Sequence, residues 1–136
     1  MTRILAALLL LASPALAGER IAGAALVRDG DTVVVDGTPV RLNGVAAPEK
    51  HEPGGHEATE AMVRMIAGRL VTCDLNGQRT HDRMVGVCYV DGVDLGAMII
   101  GAGRARDCPR FSGGRYAAVD TDASRALPLP DYCIPR

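Results

Sequence analysis

Apolar and polar positions along the chain alternate in two different periods. Ala22 to Val27 is apolar and runs into a polar turn, Arg28-Asp29-Gly30-Asp31-Thr32. Val33-Val34-Val35 is a β-branched run, and Val40-Arg41-Leu42-Asn43-Gly44-Val45 answers it across Asp36-Gly37, a strong two-residue hairpin signal. A three-stranded meander is expected, ended by Ala47-Pro48 and followed by a loop from Glu49 to Gly55. The period then becomes helical: Ala58, Ala61, Met62, Met65 and Ile66 form one apolar stripe. Glu57 and Glu60 suit the first turn of that helix, and Glu60 and Arg64 are spaced for an i,i+4 pair. The methionines belong to the buried face rather than to a ligand site. Leu70 to Leu75 reads as a strand, Asn76-Gly77 as a turn, Met84 to Val90 as a strand and Asp91-Gly92 as a turn. Leu95, Met98, Ile99 and Ala102 give a second helix, stopped by Gly103. Beyond it, Ser112-Gly113-Gly114 is a loop, and Pro128, Pro130 and Pro135 exclude a regular terminal helix. The order of three strands, a helix, two strands and a helix predicts a mainly β, α+β fold. Its form is a five-stranded barrel of the OB type with two helices.

The first residues follow a different rule. Arg3 is a short positive region, Ile4 to Ala12 is apolar, Pro14 breaks the run, and Ala15-Leu16-Ala17 is a small-x-small cleavage pattern. Residues 1–17 are therefore expected to be a secretory signal peptide, with an uncleaved anchor as the alternative. The functional unit is then a single domain over 18–136, periplasmic or secreted, with no membrane span after cleavage and expected to be a monomer. The four cysteines, Cys73, Cys88, Cys108 and Cys133, agree with export and lack CxxC spacing. Three pairings are open. The favoured one is Cys73–Cys88, joining two strands, with Cys108–Cys133 pinning the C-terminal segment; each closure contributes about 3 kcal/mol in the chain-entropy account.

Composition narrows the function. The 136 residues carry a net charge of -1 and only 3% aromatics, with no Trp. A general nucleic-acid coat and a base-stacking platform as the main binding device are both disfavoured. Arginine supplies almost all of the positive charge, Lys50 being the sole lysine, and its planar fork suits phosphate. Arg104, Arg106, Arg110 and Arg115 crowd one region; a solvated face is the first expectation there and polyanion binding the second.

One group of residues stands out for chemistry. Asp29 and Asp31 flank a glycine at a strand entry, Arg41 lies on the next strand, Glu49 follows a proline, and Arg83 precedes the fifth strand. Carboxylates that take a hard cation, beside two guanidinium groups, make a phosphoryl-transfer set. By itself Asp-Gly-Asp is more often a turn with solvated carboxylates.

These residues carry a resemblance. Asp29-Gly30-Asp31-Thr32, Arg41-Leu42, Val45-Ala46-Ala47-Pro48-Glu49, Gly55-x-Glu57-Ala58, Gly77-Gln78-Arg79-Thr80 and Asp82-Arg83 resemble, in order and spacing, the staphylococcal nuclease family. The resemblance runs from about residue 27 to residue 104, leaving 105–136 as an irregular, disulfide-tied tail. It implies an OB-fold barrel and calcium-dependent hydrolysis of phosphodiester bonds in DNA and RNA. By resemblance Asp31 is a calcium ligand with Asp29 close by, the Ala47 backbone carbonyl also coordinates, and Glu49 is the general base or water-positioning carboxylate. Arg41 and Arg83 hold the phosphate and stabilise the transition state.

The chain departs from the family in two places. Ala46 stands where the family has a second calcium-binding aspartate, which weakens a site whose affinity follows ligand charge. Restoring Asp at 46 is expected to raise calcium affinity. The stretch before the fifth strand is shortened to Thr80-His81-Asp82-Arg83, so Arg83 aligns with the catalytic arginine and Arg79 is the fallback. His51, Glu52 and His56 are first a solvated loop; the second reading has His51 or Glu52 replacing the missing carboxylate, with zinc or manganese as the metal. The first functional expectation is a metal-dependent nuclease acting on single-stranded DNA or RNA. The alternative is an inactive barrel that binds an oligonucleotide or an envelope polysaccharide, and a third is a structural domain of the envelope. A nuclease needs Arg41, Glu49 and Arg83, a binder only the arginines, and a structural domain none of them.

Overall fold

The computed structural model describes residues 18–136; the expected signal peptide lies outside the described residues. Strand β1 is Arg20–Asp29, β2 Thr32–Val35, β3 Thr38–Leu42 and β4 Val45–Ala46. Helix α1 is Gly55–Ile66, followed by β5 Leu70–Thr80, β6 Arg83–Val90, β7 Val93–Asp94 and α2 Leu95–Gly101. The tail carries β8 Arg106–Asp107, α3 Pro109–Ser112 and α4 Asp122–Arg125, with 3-10 turns at Ala117–Val119 and Asp131–Cys133.

The sheet order β3-β2-β1-β5-β6-β7 is closed by a parallel pairing of β3 with β6. Five strands thus form a ring, as the sequence pattern predicts, and β7 hangs from β6 as a two-residue extension. Alternation explains β1: Ile21, Gly23, Ala25 and Val27 turn inward while Ala22, Ala24 and Leu26 face out. The inward residues of the ring, among them Val33, Val35, Val40, Leu42, Val71 and Val90, meet Met62 and Ile66 of α1 and Leu95, Ile99 and Ile100 of α2. Asp36 and Gly37 both take positive φ, the conformation of the expected β2–β3 hairpin turn.

Three local expectations are corrected. The third strand does not run through to Val45: it stops at Leu42, and Val45–Ala46 leaves to pair with Arg106–Asp107 of the tail. Gly44, at φ +75, makes that change of direction. Asn76-Gly77 is not a chain reversal; β5 continues to Thr80, and the β5–β6 register slips between Leu75 and Arg79. The reversal falls instead at His81-Asp82, with His81 in the left-handed region at φ 56. The surplus residues form a bulge in β5. Finally, Glu60 pairs with His56, at 3.2 Å, rather than with Arg64.

Both favoured disulfides are formed. Cys73–Cys88 joins directly opposed residues of β5 and β6, and Cys108–Cys133 ties the end of the chain to the segment after β8. The tail is less irregular than expected, for it contains two short helices. Thr121 and Ser124 cap α4 reciprocally, and beyond Arg125 only the 3-10 turn at 131–133 forms, as the prolines require.

Candidate active site at the barrel mouth

Strand β1 begins the site with an irregularity. Its register against β2 slips between Val27 and Asp29, so the chain turns at Asp29-Gly30-Asp31 on the barrel mouth. Gly30 is required there by contact: a Cβ would lie 2.7 Å from the Ala58 Cβ and 2.8 Å from that of Ala47. The Asp31 amide donates to Asp29 Oδ1 at 3.2 Å, an Asx turn that brings the two carboxylates together.

Asp31 is the hub. Its side chain is only 7% exposed. Oδ2 accepts from the Ala47 amide at 3.1 Å and lies 3.5 Å from Arg41 Nη2; Oδ1 accepts from the Thr32 hydroxyl at 3.1 Å. Thr32 Oγ1 in turn accepts from Arg83 Nη1 at 3.0 Å. An ion pair from Arg41 to Asp31 thus continues through hydrogen bonds to Thr32 and on to Arg83. Burial pushes the Asp31 carboxyl up to about 6, the neighbouring Asp29 adds to the rise, and Arg41 and the Ala47 amide oppose it. Burial outweighs the ion pair because one partly shared guanidinium does not replace the lost hydration.

Arg41 is fixed as firmly. Nη1 donates to the carbonyls of Leu42 at 3.0 Å and Val45 at 2.8 Å, and Nη2 reaches the Tyr132 hydroxyl at 3.3 Å. The departure of β4 from the barrel supplies the Val45 carbonyl. Arg83 is held by Thr32 and, through Nε, by the Thr80 carbonyl at 3.4 Å.

Glu49 belongs to the loop before α1. Its amide donates to Glu52 Oε2 at 3.1 Å, and its carbonyl accepts from the Glu52 amide at 2.8 Å. Gly55 closes that loop on itself: a Cβ there would fall 1.7 Å from the Glu49 carbonyl oxygen. The Glu49 side chain is exposed and lines a groove of about 490 Å³ with Arg41, Arg79, His81 and Arg83. The structure thus brings Arg41, Glu49 and Arg83 to one groove, with Asp31 and Asp29 behind them. Arg79, from the bulged hairpin, shares the groove but lacks the link through Thr32 to Asp31 that Arg83 has.

Other expectations resolve differently. Glu52 serves the Glu49 loop and His56 pairs with Glu60, so neither is directed at Asp31; His51 is exposed. Arg106 donates to the Leu127 carbonyl, and Arg115 to Asp94 and Tyr89, so the arginine-rich region is not a continuous free surface. Thr32 and Tyr132 are site residues that sequence reasoning missed. Thr32 stands in the Asp-Gly-Asp-Thr motif but reads as an ordinary β-branched strand residue, and nothing local marks Tyr132.

Asp29 and Asp31, in contact and one of them buried, offer the oxygen donors that a hard divalent cation takes. They fit calcium in kind. Among the described residues no group of three or more His, Cys, Asp or Glu converges there. Ala46, 3% exposed, packs instead against Cys108, Cys133 and Leu129.

Residues 39–121 match the family described as staphylococcal nuclease homologue, further into the tail than the resemblance at the level of motifs. The chain is 36% identical over 129 residues to a protein of Rhizobium meliloti (strain 1021) called succinoglycan biosynthesis protein ExoI, covering 86% of this chain and 68% of that one. It is 33% identical over 84 residues to an uncharacterized endonuclease of Escherichia coli O157:H7, covering 58% and 55%. It is 36% identical over 64 residues to the probable staphylococcal-like nuclease CAN1 of Oryza sativa subsp. japonica, covering 47% and 19%. The chain thus spans about two thirds of the first of these proteins and less of the other two. With the closed barrel, the groove and the match over most of its length, the chain belongs to the staphylococcal nuclease homologue family.

Proposed function

We propose that this chain is a nuclease that hydrolyses phosphodiester bonds of single-stranded DNA or RNA in the barrel-mouth groove. The observation that carries this reading is the convergence of Arg41, Glu49 and Arg83 on one groove, with Arg41 paired to Asp31 and Arg83 joined to it through Thr32. Arg41 and Arg83 would offset charge on the non-bridging phosphate oxygens, as pre-set donors do without reorganising. Glu49 would take the proton of the attacking water as its oxygen bonds to phosphorus; the opposite P–O bond breaks, and the leaving oxygen takes a proton from solvent. Asp31, Asp29 and the Ala47 carbonyl would hold calcium, which when bound polarises the phosphate and lowers the barrier to water attack. The two disulfides suit an oxidising compartment, periplasmic or extracellular. No helix among the described residues is long and apolar enough to cross a membrane.

The test is hydrolysis of single-stranded DNA and RNA with calcium and with chelator, beside Glu49→Gln. Cleavage lost in chelator and lowered at least a hundredfold in Glu49→Gln supports the proposal. Cleavage indifferent to Glu49→Gln overturns it.

A second reading keeps the groove for binding alone, to an oligonucleotide or an envelope polysaccharide. Ala46 favours it, since it leaves the cation one carboxylate fewer, and so does the relative named for succinoglycan biosynthesis. On that reading Glu49→Gln leaves ligand affinity unchanged while Arg41→Ala and Arg83→Ala weaken it, and no metal restores cleavage.

A further inference from the structure

The chain has one Phe and three Tyr, and their placement is uneven. Tyr116 is buried against α2 and the Asp94 carboxylate, and the Tyr89 hydroxyl accepts from Arg115. Phe111 and Tyr132, 44% and 49% exposed, both line the groove that holds Arg41, Glu49 and Arg83. Tyr132 does not come from the barrel. It sits in the 3-10 turn Asp131–Cys133, where the Cys133 amide donates to the Pro130 carbonyl at 2.9 Å. Cys133 is fully buried and bonded to Cys108, whose amide donates to the Gly44 carbonyl at 2.9 Å. The disulfide therefore fixes the tail backbone one residue from Tyr132, directly against the barrel mouth. From there the Tyr132 hydroxyl meets Arg41 Nη2 at 3.3 Å.

We propose that Tyr132 is a substrate-contacting residue: its ring stacks on the base of the nucleotide whose phosphate Arg41 holds. The inference rests on the reading of the groove as a site for single-stranded nucleic acid. A single strand presents a flat base and a charged phosphate on each unit. An aromatic ring beside a guanidinium matches both at once. A tyrosine on a tethered turn loses little conformational freedom on binding, so more of the stacking is retained as affinity. The low aromatic content does not oppose this, because the exposed rings are gathered at the one place where they are used.

The experiment titrates fluorescein-labelled oligothymidylate by anisotropy, in calcium, with the Glu49→Gln protein as parent so that the strand survives. Tyr132→Ala on this parent is expected to raise Kd about tenfold, the scale of one lost stacking contact. Tyr132→Phe, which keeps the ring, is expected to stay within about twofold of the parent. An oligomer of the same length with abasic residues is expected to bind the parent and Tyr132→Ala alike. Equal affinity of Tyr132→Ala and the parent for oligothymidylate overturns the inference and leaves the nucleic-acid reading standing. Equal losses on the thymidylate and abasic oligomers also overturn it, for Tyr132 would then act only by steadying Arg41. A parent that binds neither oligomer overturns both readings.

Discussion

Ala46 stands where the resemblance to the family leads one to expect an aspartate, and its surroundings suit an apolar residue. The side chain is 3% exposed and lies with the Cys108–Cys133 disulfide and Leu129, so the tail fills the space beside it. A carboxylate placed there is desolvated against sulfur and methyl groups unless a cation neutralises it. Ala46→Asp is therefore expected to lower stability by about 1–3 kcal/mol in chelator. Calcium is expected to raise the Tm of Ala46→Asp more than that of the parent, because only the variant gains a charged ligand. Thermal unfolding with and without calcium measures both effects. Equal calcium shifts would show that position 46 does not face the cation, against the expectation drawn from the family pattern. At this scale the charged residues of the site were legible in the sequence. Asp29 and Asp31 flank a glycine at a strand entry, Arg41 is a charge within a strand, and Glu49 follows a proline. Thr32 was not, since a threonine beside a strand of valines needs no second explanation; only the fold reveals that its hydroxyl joins Asp31 to Arg83.

The loop from Glu49 to Gly55 and the β5–β6 hairpin are the elements that shape the groove, and they differ in how far the sequence foretold them. The loop was expected where it occurs. Its closure was not, because that depends on a glycine packed against a carbonyl rather than on a turn motif. Gly55→Ala tests the closure. A methyl group 1.7 Å from the Glu49 carbonyl oxygen must displace backbone, while Arg41 and Arg83 stay on barrel strands. The expected result is a fall in kcat of about a hundredfold, the scale of an ångström's misplacement of a catalytic group, with oligonucleotide affinity retained. An unchanged kcat would show that Glu49 does not depend on this closure. The hairpin misled the sequence reading for a physical reason. Asn-Gly suits a tight reversal, but it also suits a bulge that needs a positive φ, and Gly77 supplies φ +83 within a continuing strand. Pairing with β6 decides between the two, and that pairing is a property of the closed barrel. The same holds for β4, whose partner Arg106–Asp107 lies far along the chain.

At the scale of the whole molecule, charge limits how nucleic acid can be held. The chain is nearly neutral, at -1, and much of its arginine is already paired. Arg20 meets Asp74, Arg28 meets Asp82, Arg69 meets Asp91, Arg115 meets Asp94 and Arg125 meets Asp122. Arg106 is turned to the Leu127 carbonyl. The arginines lining the groove are Arg41, Arg79 and Arg83. A strand lying there would have two or three phosphates neutralised, each releasing about 0.7 of a counterion from a single strand. The slope of log K against log salt is therefore expected to lie near -2. It can be measured with the Glu49→Gln protein and labelled oligothymidylate between roughly 50 and 200 mM salt. Arg83→Ala should make the slope shallower by about 0.7 as well as weakening binding. Arg104→Ala and Arg110→Ala should leave it unchanged, because neither lines the groove. A slope steeper than about -4 would instead mean that the strand continues across the tail onto those arginines. The binding surface would then be the tail and the barrel mouth together, rather than the groove alone.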